Sequence, residues 1–252
     1  MIPIPEELLE QIERGNVLLF IGERIVRDAE GRVVLDQLTA QLAARCGIAD
    51  TEDLAFPEAA QAYEDDRGRQ ALVQFLRDQL EMLGDEPQQV HRLIAGLTDC
   101  NVLITTCLNC RLERAFEAAR RPLDVIIGNL DVAFEAELRA RLYKLRGSLD
   151  RPELLILTED DHEAFFRNRA NLSIVLQGYL ARKTILFIGY DLADPLFKRL
   201  YCEVTTPLDN YARRAYAFGE VLTPKVSRWC KRHSIDVVEI DATAFLEALT
   251  SQ

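Results

Sequence analysis

Short, continuous apolar runs alternate along this chain with longer stretches in which apolar residues recur three or four positions apart. Val17 to Ile21, Val102 to Thr105, Leu142 to Leu145 and Thr184 to Ile188 are too short and too uniformly apolar for surface helices, so they read as strands buried on both faces. Shorter runs at Val125–Ile127, Leu154–Leu157, Ala215–Phe218 and Val237–Ile240 read as further strands, while Phe134–Leu138 fits either element. Helical spacing covers Pro5–Arg14, with Pro5, Glu6 and Glu7 at its start and Gly15-Asn16 as its stop. From Leu35 to about Leu97 the spacing is helical again, carried by Leu38, Leu42, Leu54, Ala60, Tyr63, Leu72, Phe75, Leu76 and Leu80 and broken at Pro57 and at Gly84 to Pro87. Further helices are predicted over Arg111–Ala119, after Thr158, over Leu172–Ala181, over Lys225–His233 and over Ala244–Leu249; Thr158 with Asp161 three positions on has the form of a capping box. Buried strands alternating with helices predict an α/β fold with a doubly wound, mostly parallel sheet, whose ligand site lies at the carboxyl ends of the strands. The expected organisation is one domain over 1–252 with a helical insertion over 35–97.

Composition narrows the partners. The 252 residues are 48% hydrophobic, enough for a substantial core, and the formal net charge of -11 disfavours binding to nucleic-acid backbones. Two basic stretches, Arg111, Arg114, Arg120 and Arg121, and Arg139, Arg141, Lys144 and Arg146, run against that charge; the plainer reading is solvated helix faces. No apolar run has the length of a membrane span and no signal-like start is present, so a cytoplasmic location with reduced cysteines is expected. Cys107 and Cys110 have metal-pair spacing, but Cys46, Cys100, Cys202 and Cys230 supply no matching second pair, and no metal is expected. His91 is expected to pack at a helix start, and His162 and His233 at the surface. No nucleophile elbow or P-loop is present.

Four strand-end segments carry the chemistry: Val17 to Gly22, Val102 to Thr106, Leu142 to Ser148, and Ile185 to Pro195. In order and spacing they resemble the bacterial sirtuin-like (silent information regulator-like) family, whose working members bind or break NAD. The resemblance extends over nearly the whole chain and implies a Rossmann-like core. It also marks departures. The family continues its first glycine as Gly-Ala-Gly; here Gly22 is followed by Glu23 and Arg24, so a side chain stands where backbone N–H groups approach a pyrophosphate. Arg24 or Arg27 could instead grip phosphate by a forked hydrogen bond, or Arg24 could fill the pocket paired with an acid. Thr105 and Thr106 match the family, whereas Cys107 replaces its asparagine and Asn109 its aspartate. Lys144, Leu145, Gly147 and Ser148 match, but Arg146 stands where the family has the histidine that takes a ribose proton. Arginine stays protonated and cannot be that base. In the last segment Asp191 replaces a serine on the ribose side, while Asp194 and Pro195 also read as a helix cap and first helical residue.

The resemblance leaves three functions open. The favoured expectation is a catalytically degenerate domain, with Cys107, Asn109 and Arg146 at the exchanged positions. It would be a regulatory, sensing or assembly subunit, binding NAD or ADP-ribose through Gly22, Arg24, Thr105, Thr106, Gly189 and Asp191, in an oligomer or with a protein partner; the family implies an antiphage setting. The second is an active NAD hydrolase or other nucleotide-processing enzyme with a re-routed site, for which a cleft carboxylate of raised pKa is the mark. The third is an interaction module whose pocket is closed by Arg24, Arg146 and an acid such as Glu23.

Overall fold

The computed structural model describes residues 4–51, 54–134, 139–219 and 222–250. Among the described residues, seven strands form one all-parallel sheet: β1 (Val17–Ile21), β2 (Val102–Thr105), β3 (Leu123–Ile126), β4 (Ala140–Lys144), β5 (Thr184–Ile188), β6 (Ala215–Gly219) and β7 (Ile235–Glu239), in the spatial order β3-β4-β2-β1-β5-β6-β7. β1 is central, flanked by β2 and β5. Its five residues are all buried because the sheet is covered on both sides: Val17, Leu19 and Ile21 enter one core, Leu18 and Phe20 the other.

The first core is closed by α1 (Glu6–Glu13), α2 (Val34–Arg45), α3 (Phe56–Arg67), α4 (Arg69–Leu83), α5 (Gln89–Gly96), α6 (Arg111–Ala118) and α11 (Ala242–Thr250); the second by α7 (Glu159–Asn168), α8 (Ala170–Arg182), α9 (Pro195–Thr205) and α10 (Pro224–Arg232). Helices α2 to α5 all lie between β1 and β2 in the sequence. The chain builds outward from β1 to one edge and then crosses back to place β5 on its other side. This reversal opens a crevice at the carboxyl ends of β1 and β5. Among the described residues, no helix is long and apolar enough to cross a membrane.

The capping box at α7 is present: Thr158 Oγ1 accepts from Asp161 N–H, and Asp161 accepts from Thr158 N–H. Asp194 caps α9, its Oδ1 accepting from Phe197 N–H. Leu154–Leu157 is not a strand. Pro152–Leu154 is a 3-10 turn; after it Ile156 N–H donates to Arg146 O at 3.0 Å, and side chains, instead of a ladder, take other backbone groups of the segment. Arg169 takes Leu154 O, Arg69 takes Leu155 O at 2.8 Å, and Asp161 takes Leu157 N–H at 2.8 Å. Of the ambiguous Phe134–Leu138, Phe134 ends a 3-10 turn that begins at Asp131, and 135–138 lie outside the described residues.

The basic stretches are not solvated helix faces throughout. Arg111 donates to Leu83 O and Gly84 O, Arg121 to Ala95 O, Leu97 O and Cys100 O, and Lys144 is buried against Glu113 at 2.7 Å. Buried carbonyls at helix ends recruit these cations, because an unpaired backbone acceptor away from water is costly.

Candidate active site

The crevice widens into a groove of about 1840 Å³ whose wall includes Glu23, Arg24, Asp36, Thr106, Arg146, Gly189, Asp191 and Asp194. Its floor is set by a close crossing of two turns. Gly22 ends β1 and donates to Ile188 O at 3.0 Å. A Cβ on Gly22 would stand 2.3 Å from Gly189 O and from Tyr190 Cα, so this glycine makes room for the β5 turn. Gly189 has φ +55°, and a Cβ there would meet Ile25 Cγ2 at 2.4 Å. The two glycines therefore lock the strand ends together.

Above the crossing sits a buried charge cluster. Arg146 Nη1 donates to Glu23 Oε2 at 2.5 Å, and its Nη2 lies 3.5 Å from Asp194 Oδ2. Tyr190 donates its phenolic proton to the same Asp194 oxygen at 3.0 Å. The guanidinium also lies over the Phe56 ring, 5.3 Å from its centroid. Arg146 and Asp194 each have side chains only 6% exposed, and that of Glu23 is 10% exposed. Two carboxylates thus share one guanidinium. Loss of hydration raises the pKa of Glu23 to about 7, Arg146 opposes the rise, and the like charge of Asp194 adds to it.

The sequence-derived site residues divide into two groups. Arg24, Thr106, Arg146, Gly189 and Asp191 share the groove wall. Arg24 forks onto Asp36 of α2, with Nη1 to Oδ1 at 3.2 Å and Nη2 to Oδ2 at 3.4 Å. Asp191 is exposed at the mouth and accepts from Ala193 N–H. Beneath the wall, Thr105 Oγ1 accepts from Cys107 N–H and the Cys107 thiol faces Gly22 O. Burial, with the charge of Glu23 adding, pushes the Cys107 thiol up to about 12, which removes it as a nucleophile near neutrality. Asn109 Oδ1 accepts from Arg111 N–H at the start of α6, its carbonyl accepts from Lys144 Nζ at 2.8 Å, and it lines a small apolar cavity with Glu23, Phe56 and Leu108. Cys110 faces Asp150 instead of Cys107, and among the described residues no group of three or more His, Cys, Asp and Glu is placed to hold a metal.

One residue lies differently from expectation. His162 is buried, not at the surface; its Nε2 has no hydrogen-bond partner, and the charges of Asp194, Arg146 and Asp161 act on it. Glu23, named from the sequence as an acid that could close the pocket with Arg146, is indeed paired with it and is the central carboxyl of the cluster. The signal for that pairing was the joint appearance of an acid at position 23 and a cation at position 146, both at strand ends of the same sheet edge; its place at the centre of a cluster with Asp194 was not visible in the sequence.

A family model described as "SIR2-like domain" matches residues 101–237. This chain belongs to the SIR2-like domain family. Solved Sir2 structures share its fold: a Sir2–p53 peptide–NAD complex aligns over 98% of this chain and 97% of that one (TM-score 0.53, 13% identity), and a Sir2 homolog–NAD complex over 99% and 93% (TM-score 0.52, 14% identity). Among curated relatives, the SIR2-like chain is similar to proteins named NAD(+) hydrolase ThsA from Cytobacillus dafuensis (27% identity over 84% of this chain and 43% of the relative), Acinetobacter baumannii strain 532279 (24%, 98% and 55%) and Bacillus cereus strain MSX-D12 (25%, 86% and 46%). The chain spans about half the length of these relatives. The expectation of a catalytically degenerate, non-enzymatic domain is overturned by these names: all four curated relatives that match are NAD(+) hydrolases. Their names favour the second expectation, an active NAD hydrolase.

Proposed function

We propose that this SIR2-like chain hydrolyses NAD at the bond between nicotinamide and ribose, with Glu23 as general base. The observation that carries the reading is the Glu23 carboxyl at the carboxyl end of β1: buried, in the groove wall, and with a pKa of about 7. A base works best when its pKa lies near the working pH, and this value is far from that of an ordinary surface carboxylate. The names of the relatives supply the substrate class.

The chemistry asks less of the site than the family's ribose-directed base would provide. Nicotinamide leaves as a neutral molecule, taking the electron pair of the broken N-glycosidic bond, so no acid is required. Positive charge develops on the ribose ring as that bond breaks, and carboxylates stabilise such a transition state. Glu23 and Asp194 supply them. A water molecule forms the new bond to the anomeric carbon and gives its proton to Glu23, which releases it to solvent. The products are ADP-ribose, nicotinamide and a proton. Arg146, permanently charged, keeps the two carboxylates in place; no step asks it to accept a proton.

The test is nicotinamide release from NAD by the purified chain, followed chromatographically beside the Glu23→Gln variant. Turnover that the variant lacks supports the reading. Absence of turnover in the unaltered chain, or equal turnover in the variant, overturns it.

A further inference from the structure

Four of the five backbone donors from Gly22 to Val26 are committed to the protein. Gly22 N–H bonds to Ile188 O at 3.0 Å, Arg24 N–H to Gly189 O at 3.1 Å, Ile25 N–H to Gly22 O at 3.5 Å and Val26 N–H to Glu23 O at 2.9 Å. An anion approaching this turn therefore finds these four amides occupied, with the Glu23 carboxyl beside them. Recognition of a phosphate by the Gly22 or Arg24 amide would require the β1–β5 crossing to come apart.

A side chain stands ready in their place. Arg24 lies in the groove wall, and its guanidinium presents two nitrogens to the two oxygens of Asp36. This is the same forked geometry in which arginine binds phosphate. The pair sits at the rim: the Arg24 side chain is 28% exposed and that of Asp36 56%. Exposed ion pairs contribute little to stability, so exchanging one for a doubly charged ligand is energetically accessible.

We propose that Arg24 is the residue that recognises the diphosphate of a dinucleotide in this groove, and that Asp36 is its built-in competitor. This rests on the reading of the groove as a site for NAD-type nucleotides. Phosphate recognition has passed from a glycine-rich backbone to one guanidinium, and Asp36 lowers affinity by occupying the fork and by repelling the anion. The ligand class is a nucleoside diphosphate, with the charged bridge selected in preference to the base.

The experiment is titration calorimetry with ADP-ribose, and with adenosine as an uncharged probe, on the unaltered chain and on Arg24→Gln, Arg24→Lys and Asp36→Asn. ADP-ribose carries no nicotinamide bond, so binding is read without turnover. Arg24→Gln should weaken ADP-ribose by about tenfold or more, the scale of a charge-assisted hydrogen bond, and should flatten its salt dependence. Arg24→Lys should recover part of the loss, and Asp36→Asn should tighten binding. Adenosine affinity should stay the same in all four proteins. The proposal falls if the unaltered chain gives no saturable heat with ADP-ribose, if Arg24→Gln binds within about twofold of it, or if adenosine binding is lost in parallel. If ADP-ribose binding depends on Arg24 while NAD is not consumed, the inference stands and the proposed hydrolysis does not. If NAD is consumed and Arg24→Gln leaves its KM unaltered, the hydrolysis stands and the inference does not.

Discussion

Glu23, Arg146 and Asp194 form a titrating unit whose members pull on one another, so each substitution has a signed consequence. Glu23 must be ionised to accept a proton, so kcat/KM should rise with pH through a midpoint near 7 and level above it. Removing the base in Glu23→Gln should cost about a hundredfold or more in rate, the usual contribution of a positioned base. Asp194→Asn keeps the cap on α9 but removes a like charge beside Glu23, so the acid limb should move to lower pH. Arg146→Gln removes the opposing cation and should move the limb upward. Measured pH–rate profiles of the three variants check these directions; a limb that stays fixed in both Asp194→Asn and Arg146→Gln would show that Glu23 is not the titrating base.

At the scale of elements, the site is held by the crossing of the β1 and β5 turns. Gly22→Ala would bring a methyl group within 2.3 Å of backbone atoms that cannot swing aside. A loss of about 3 kcal/mol in urea unfolding is expected, at the upper end of ordinary overpacking, and a loss below about 0.5 kcal/mol would contradict the crossing. The same elements show what a sequence can and cannot disclose. β1, β2 and β5 were legible because a strand buried on both faces must be apolar at every position, and no surface helix needs that pattern. Leu154–Leu157 has the same local pattern but no ladder, because Arg69, 86 positions away, Arg169 and the neighbouring Asp161 take up part of its backbone. The groove residues Arg24, Thr106 and Asp191 were found through motif positions that sit at strand ends. The partnership of Glu23 with Arg146, 123 positions apart, exists only once β4 and β1 are set on either side of β2. Fold signals are local periodicities, whereas this site is a long-range coincidence of charges.

The molecule as a whole carries buried ionisable groups whose effects on stability oppose one another. His91 of α5 is fully buried with neither ring nitrogen bonded, and burial, with Arg111 nearby, lowers its pKa to about 4. The folded state therefore keeps this imidazole neutral, while the unfolded chain takes up a proton below about pH 6.5. As pH falls from there toward 4 the unfolded state is favoured, and His91 draws stability down. Glu23 acts with the other sign. Its folded pKa of about 7 lies above the unfolded value near 4.5, so its contribution is fully present below about 4.5 and is lost as pH rises through 7. Wild-type stability across this window is a difference of the two, with His162, lowered to about 4 by burial, adding to the His91 side. Comparing each variant with wild type at the same pH cancels every group the substitution leaves alone. On passing from pH 7.5 to 5, His91→Leu should gain about 2 kcal/mol relative to wild type, and Glu23→Gln should move in the opposite direction. Urea unfolding at the two pH values measures both differences. If His91→Leu ran parallel to wild type, the imidazole would be protonating equally in the folded and unfolded states. If Glu23→Gln ran parallel, the Glu23 carboxyl would titrate as an ordinary one and could not serve as the base poised near neutrality.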